Sequence, residues 1–185
     1  QGTYGQPKVD VMSQRLRAIN PDCQVQARRA FFTMATAEEI LATRYDYLVD
    51  AIDRITTKCL LIADCRKKGI PIVTAGAAGG RRDPTRVRVA DMTQASHDRL
   101  LQEVRRQLRR KHGFPRGQER FNVPCVYSPE PVVYAQSDGS VCAQLPADAD
   151  LRLDCDHGYG TAAFVTGTLG FVAAAHVVAA IAGAR

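Results

Sequence analysis

Asp50 and Asp53 follow a short apolar run, Tyr47-Leu48-Val49, and stand where the chain leaves it. A buried strand that ends this way presents its carboxylates at the C-terminal edge, the side on which open α/β sheets bind ligands. Asp53 is the first candidate to hold a magnesium–nucleotide complex, because a hard cation takes carboxylate oxygen and the strand edge opens into a crevice. Asp50 has a competing role, capping or hydrogen-bonding nearby backbone, and a structural role is open to either acid. Gly76, Gly79 and Gly80 come after a second apolar run, and Arg81 and Arg82 follow at once. These glycines permit close backbone approach or positive φ, so the segment either gathers an anionic substrate or is simply a turn. Neither a G-x-G-x-x-G pattern nor a P-loop lysine occurs in the chain, so these residues make half of a nucleotide site.

Three further groups carry possible chemistry. Cys155, in LDCDHGYGTAA, precedes the last helical stretch, where a helix N-terminus favours thiolate; the alternative is a small buried filler whose neighbour Asp156 opposes ionisation. His157 in the same turn could orient a substrate, whereas His176 on the apolar helix reads as a packed or interface histidine. The stretch His97 to Lys111 holds Arg105, Arg106, Arg109 and Arg110 around an apolar side of Leu100, Leu101, Val104 and Leu108. Its cations would meet a phosphate backbone and release counterions, and a solvated charged face explains them equally. No aromatic residue interleaves with these arginines, so only an electrostatic contact is expected.

The elements that must position these residues are legible from periodicity and punctuation. Lys8 to Ile19 is a helix stopped by Asn20-Pro21, Cys23 to Phe32 is rich enough in β-formers to be a strand, and Thr36-Ala37-Glu38-Glu39 starts a helix ending near Arg44. A strand at Tyr47, a helix from about Thr56 to Lys68 closed by Gly69, and a strand from Pro71 to Thr74 imply a parallel crossover. Thr85 to Ala90, reading TRVRVA, alternates as a half-buried strand, and Phe121 to Leu145 forms extended pieces broken at Pro129-Glu130-Pro131 and Asp138-Gly139. Thr161 to Ala182 is a long apolar helix. It passes for a membrane span by length, but its Ala, Gly and Thr content and His176 favour a buried or interface helix, leaving membrane association as the lesser alternative.

Composition bounds the rest. The chain has 185 residues, 45% hydrophobic and 24% charged, which suits one folded domain rather than disorder. A formal charge of +6 and a pI near 9.2 favour a polyanionic partner such as nucleic acid. Six cysteines, none in a C-x-x-C pair, and no secretory signal point to a reduced cytoplasmic setting without a zinc ribbon. The opening QGTYGQPK leads straight into a helix with no strand before it, so the chain is expected to be the C-terminal part of a longer protein.

The segments GQPKVDVMSQRLRAINPDCQV, YDYLVDAIDRITTKCLLIADCRKKGIPIVTAGAAGGRRDPTRVRVADM, VPCVYSPEPVVYAQSDGSVCA and LDCDHGYGTAAFVTGTLGFVAAAHVV closely resemble the tRNA threonylcarbamoyladenosine dehydratases. These belong to the superfamily of ubiquitin-activating and thiamine- or molybdopterin-biosynthesis adenylyltransferases. The resemblance implies an α/β, Rossmann-like doubly wound sheet, a homodimer, and an ATP-consuming reaction on tRNA. In that reaction the threonyl carboxylate of threonylcarbamoyladenosine is activated and the carbamoyl group closes a ring on it with net loss of water. It also implies that Lys8 contacts ATP phosphates, that Asp53 handles magnesium or the activated nucleotide, and that Lys58 is a catalytic cation on the following helix. Arg81 and Arg82, with the arginines of the basic helix, are then candidates for tRNA. Ala135 stands where the family block has proline, and the family's glycine-rich nucleotide loop is missing before Lys8. A single partial domain over 1–185, inactive alone, is the expectation. Two other readings share these residues: a sulfur-carrier adenylyltransferase working with a sulfur-transfer protein, and a non-catalytic tRNA-binding or dimerisation module.

Overall fold

A computed structural model describes residues 2–135, 140–143 and 160–183. Helix α1 (Lys8–Ile19) and the single turn α2 (Ala37–Ile40) precede strand β1 (Leu48–Asp50), helix α3 (Ile55–Lys68) and strand β2 (Ile72–Ala75). β1 and β2 pair in parallel with Asp50 opposite Thr74, so α3 is the crossover expected from the sequence. It stops at Gly69, whose φ of 67° is left-handed backbone that a β-carbon would disfavour. Strand β3 (Arg88–Asp91), helix α4 (Arg99–Lys111) and strand β4 (Pro124–Tyr127) complete the main sheet in the order β1-β2-β4-β3. β4 is parallel to β2, and β3 is antiparallel to β4 at the edge. A two-stranded ribbon, β5 (Tyr134–Ala135) with β6 (Val141–Cys142), and helix α5 (Ala163–Ala182) follow.

Successive strand residues face opposite sides of this sheet, and each side has its own core. Ile72 and Cys125 meet Ile62 of α3 and Leu101, Val104 and Leu108 of α4, the apolar side expected for the basic helix. Val73 and Val126 meet Val165, Leu169 and Ala173 of α5 on the other side. Covering on both faces explains why β2 and β4 are buried at successive residues rather than alternate ones.

Several expectations are corrected. Cys23 to Phe32 is irregular rather than a strand: Arg17 donates to the Val25 carbonyl at 2.9 Å and Arg29 pairs with Asp10 at 2.6 Å, which ties the segment to α1 with no sheet neighbour among the described strands. β-propensity reflects fit to a half-buried pleated surface, and this segment has none. The helix at Thr36 is a single turn that ends at Ile40 rather than near Arg44, and the Thr36 hydroxyl bonds Thr33 N–H and the Phe31 carbonyl instead of capping. The first half of TRVRVA is a 3₁₀ turn, Pro84–Arg86, begun by Asp83 accepting from Thr85 N–H at 2.9 Å; β3 starts only at Arg88. Helix α5, expected as a buried or interface helix, does pack on the sheet, along the stripe Val165, Leu169 and Ala173. Phe164, Phe171, Val178 and Ile181 stay exposed, and the helix is long and apolar enough to cross a membrane, with mean hydropathy 1.9.

The β3 and β4 ends are joined by Asp91, which accepts from Thr93 N–H at 2.9 Å and from the amides of Phe121 and Val123, both at 3.2 Å. Burial pushes its carboxyl up, but these bonds and the Thr93 hydroxyl outweigh that and hold it below the usual aspartate range. Asp91→Ala should cost about 2 kcal/mol at neutral pH, since it strands amide donors. A folded pKa below the unfolded one gives stability that is complete above the unfolded value and lost as pH falls through the folded one. The difference between wild type and variant, followed by thermal melts, should therefore shrink as pH drops below about 4; a difference that grows on acidification would refute this.

Candidate active site

Beneath the β1–α3 connection lie two fully buried charges. Lys58 Nζ sits 2.9 Å from an Asp50 carboxylate oxygen and donates to the Ile52 carbonyl at 2.7 Å. Asp50 also accepts from the Thr74 hydroxyl at 2.6 Å and from Ile52 N–H at 2.9 Å. The i to i+2 bond is an Asx turn, and with Lys58 gripping the carbonyl of the same residue it fixes the path of Ala51 to Arg54. That path carries Asp53 to an exposed position on the wall of a cavity of about 380 Å³. Among the described residues its carboxylate makes no hydrogen bond or ion pair. Asp50 therefore takes the backbone-bonding role, and Asp53 is left available to a ligand.

The opposite wall is the glycine-rich segment after β2. Residues Gly76 to Gly79 line the cavity together with Arg99, Leu100, Val132 and Thr161, at the C-terminal ends of the parallel strands β1 and β2. Asp98 holds this segment to α4: one carboxylate oxygen caps the helix at Leu101 N–H, 2.9 Å, and the other accepts from Ala77 N–H, 2.9 Å. A β-carbon at Gly76 would collide with that second oxygen, and at Gly80, where φ is 69°, one would lie 2.7 Å from the Val133 carbonyl. Glu130, also buried, accepts from the amides of Arg82 and Asp83, both at 2.9 Å. Asp98 stands at a helix start and was recognisable as a cap from sequence; nothing local in Ser128-Pro129-Glu130 signals a partner nearly fifty residues upstream.

Arg81 is a strut. Its guanidinium donates to the carbonyls of Ser128 at 3.0 Å, Ala77 at 2.6 Å and His97 at 2.9 Å, lies 3.6 Å from Asp98, and is 2% exposed. Burial pushes it below the ordinary arginine range, with Asp98 and Glu130 acting the other way, and it stays charged. Lys58, expected as a catalytic cation, likewise faces inward. Lys8 is exposed at the start of α1 and is not among the residues lining the cavity. Arg82 is exposed, 4.0 Å from Glu130. Arg105, Arg106, Arg109 and Arg110 line a separate groove along α4. His176 packs edge-on against Tyr47, with 3.1 Å between its Nε2 and the tyrosine hydroxyl. Cys155 and His157 lie outside the described residues. Burial pushes the Cys59 and Cys65 thiols up to about 11 and Cys125 to about 12, which makes them poor nucleophiles.

Asp50→Ala leaves the Lys58 charge buried without its partner and should cost about 3–5 kcal/mol, part of which a second change, Lys58→Met, should restore. Urea denaturation of the single and double variants measures this; a single-variant cost below about 1 kcal/mol would show that the pair does not hold the connection. Cys59, Cys65 and Cys125 should resist iodoacetamide in the native protein at pH 8 while exposed Cys23 reacts, as peptide mapping would read.

The chain is similar over most of its length to several known proteins. The tRNA threonylcarbamoyladenosine dehydratase of Escherichia coli is 41% identical over 176 residues, which is 94% of this chain and 66% of that protein. A crystal structure of the E. coli tRNA N6-threonylcarbamoyladenosine dehydratase in complex with ATP superposes with a TM-score of 0.80 at 34% identity, covering 97% of this chain and 66% of that one. The E. coli sulfur carrier protein ThiS adenylyltransferase matches 40% of the chain, 29% of its own length, at 34% identity. The chain thus spans 66% of the curated dehydratase it matches so fully. The model of the ThiF family matches residues 1–185, and the chain belongs to that family.

Proposed function

We propose that this chain carries the substrate-activating part of an ATP-dependent tRNA threonylcarbamoyladenosine dehydratase. The observation that carries the reading is the Asp53 carboxylate, exposed and without partner among the described residues, on a cavity walled by a glycine-rich segment at the C-terminal strand ends. Support comes from the dehydratase relative matched over 94% of the chain, against 40% for the carrier adenylyltransferase.

The reaction removes the oxygen of a poor leaving group. A threonyl carboxylate oxygen bonds to phosphorus of ATP, displacing a phosphate-bearing group; the carbamoyl group then attacks the acyl carbon and gives up its N–H proton, and that oxygen departs on phosphorus. Neutralisation of phosphate charge and alignment of two reactants are what the site must supply. Magnesium would be held by Asp53 with ATP phosphates and water completing its shell, and it would neutralise phosphate charge. One carboxylate with open space in front of it fits such an ion, which is seldom caged by protein alone. Lys58 and Asp50 act through the connection they fix, Asp98 and Glu130 through the glycine-rich wall. Lys8 is assigned to ATP phosphates by resemblance. A homodimer is assigned in the same way, and exposed apolar residues on α1 and α5, such as Met12, Ile19 and Phe171, give it a surface.

The test is mass spectrometry of nucleosides from threonylcarbamoyladenosine-containing tRNA incubated with ATP and magnesium. The chain is assayed alone and joined to the residues its E. coli relative has beyond the matched region. Loss of one water from the nucleoside is expected with the joined chain, and Asp53→Ala should lower that rate about 100-fold or more without changing the melting temperature. A joined, folded protein that leaves the nucleoside mass unchanged overturns the proposal.

A further inference from the structure

Along α4 runs an open groove of about 820 Å³ whose walls hold six arginines and a single acid, Glu103. It adjoins the Asp53 cavity at Arg99, which lines both, and Ile55, two residues after Asp53, lines the groove. The six arginines are not equivalent. Arg105 donates to the carbonyls of Met92 and Ala95, both at 3.0 Å, and Arg109 to those of Pro115 at 3.1 Å and Gly117 at 2.7 Å while lying over the Phe121 ring. Arg106 is paired with Glu103 at 2.8 Å. Arg99, Arg110 and Arg116 are exposed and make no hydrogen bond or ion pair among the described residues; Arg110 feels only a through-space attraction from Glu103.

We infer that Arg99, Arg110 and Arg116 grip the phosphates of the RNA strand flanking the modified nucleoside, with Arg99 the residue shared between RNA and the ATP-bearing cavity. This rests on the proposed dehydratase reading for the identity of the RNA. Three unengaged guanidiniums in an open groove suit phosphates, which accept their planar fork, and Arg105, Arg106 and Arg109 supply a rigid backing rather than contacts. From Arg99 to Arg110 the helix rises about 16 Å, enough to track several nucleotides leading away from a nucleoside whose threonyl group reacts in the Asp53 cavity. Such contacts position the strand without reading its sequence.

The experiment measures binding of a fluorescein-labelled anticodon stem-loop RNA by anisotropy at several salt concentrations, using the chain joined as above. Arg99→Ala, Arg110→Ala and Arg116→Ala should each reduce the slope of log affinity against log salt by about 0.7, and the triple variant should lose at least about tenfold in affinity at low salt, with unchanged melting temperature. Arg15→Ala, an equal charge loss on α1 away from the groove, should leave both quantities unaltered. In turnover, Arg99→Ala should raise KM for both tRNA and ATP, and Arg110→Ala only for tRNA. Unchanged RNA affinity in the triple variant overturns the inference, including the case in which it instead loses binding to an acidic polypeptide such as polyglutamate. RNA binding that depends on the three arginines, in a folded protein that leaves the nucleoside unchanged, would sustain the groove and count against the dehydratase reading alone.

Discussion

Lys58 and Asp50 meet at 2.9 Å beneath the first strand crossover, with no part of either side chain exposed. Each would cost several kcal/mol to bury alone, so the fold must keep them together and satisfy their remaining valences. It does so with Thr74 from the neighbouring strand and with both polar groups of Ile52. The pair thereby joins β1, β2, α3 and the connection between them. The direction in which Asp53 leaves the sheet follows from this contact, since the Asx turn from Asp50 ends at the residue before it and α3 begins two residues after it.

A second buried set does for the glycine-rich wall what the first does for the acid. Asp98, Arg81 and Glu130 come from three separated stretches, and their charged groups end on backbone amides and carbonyls of the segment between Ala77 and Asp83. Glycine at 76 and 80 is what allows these groups and the Val133 backbone to come so near. A wall held by charge-assisted bonds to its own backbone is shaped before any ligand arrives.

The two arginine populations of α4 follow the same logic. Those directed toward chain turns, Arg105 and Arg109, find carbonyls and become part of the scaffold. Those at the ends of the helix and beyond it, Arg99, Arg110 and Arg116, have no such acceptors within the described residues. Composition treats all of them as one basic patch, whereas only the second group keeps guanidinium donors unengaged among the described residues.

Local pattern was sufficient for much of this. The order of strand, helix and strand around Asp53, the left-handed stop at Gly69, the buried side of α4 and the packed role of His176 were legible because each depends on periodicity, on one residue's backbone freedom or on composition. Cys23 to Phe32 and Thr36 misled because strand and cap formation depend on partners that their sequences do not contain. The sequence by itself determined that two acids stand at a strand end before a glycine-rich turn. Tertiary structure alone decided that Asp50 turns inward and Asp53 outward, that Lys58 and Arg81 are struts, and which arginines remain open. Those assignments hang on hydrogen-bond acceptors brought in from elsewhere in the chain, such as Ser128 for Arg81, 47 residues away, and no local period encodes that meeting.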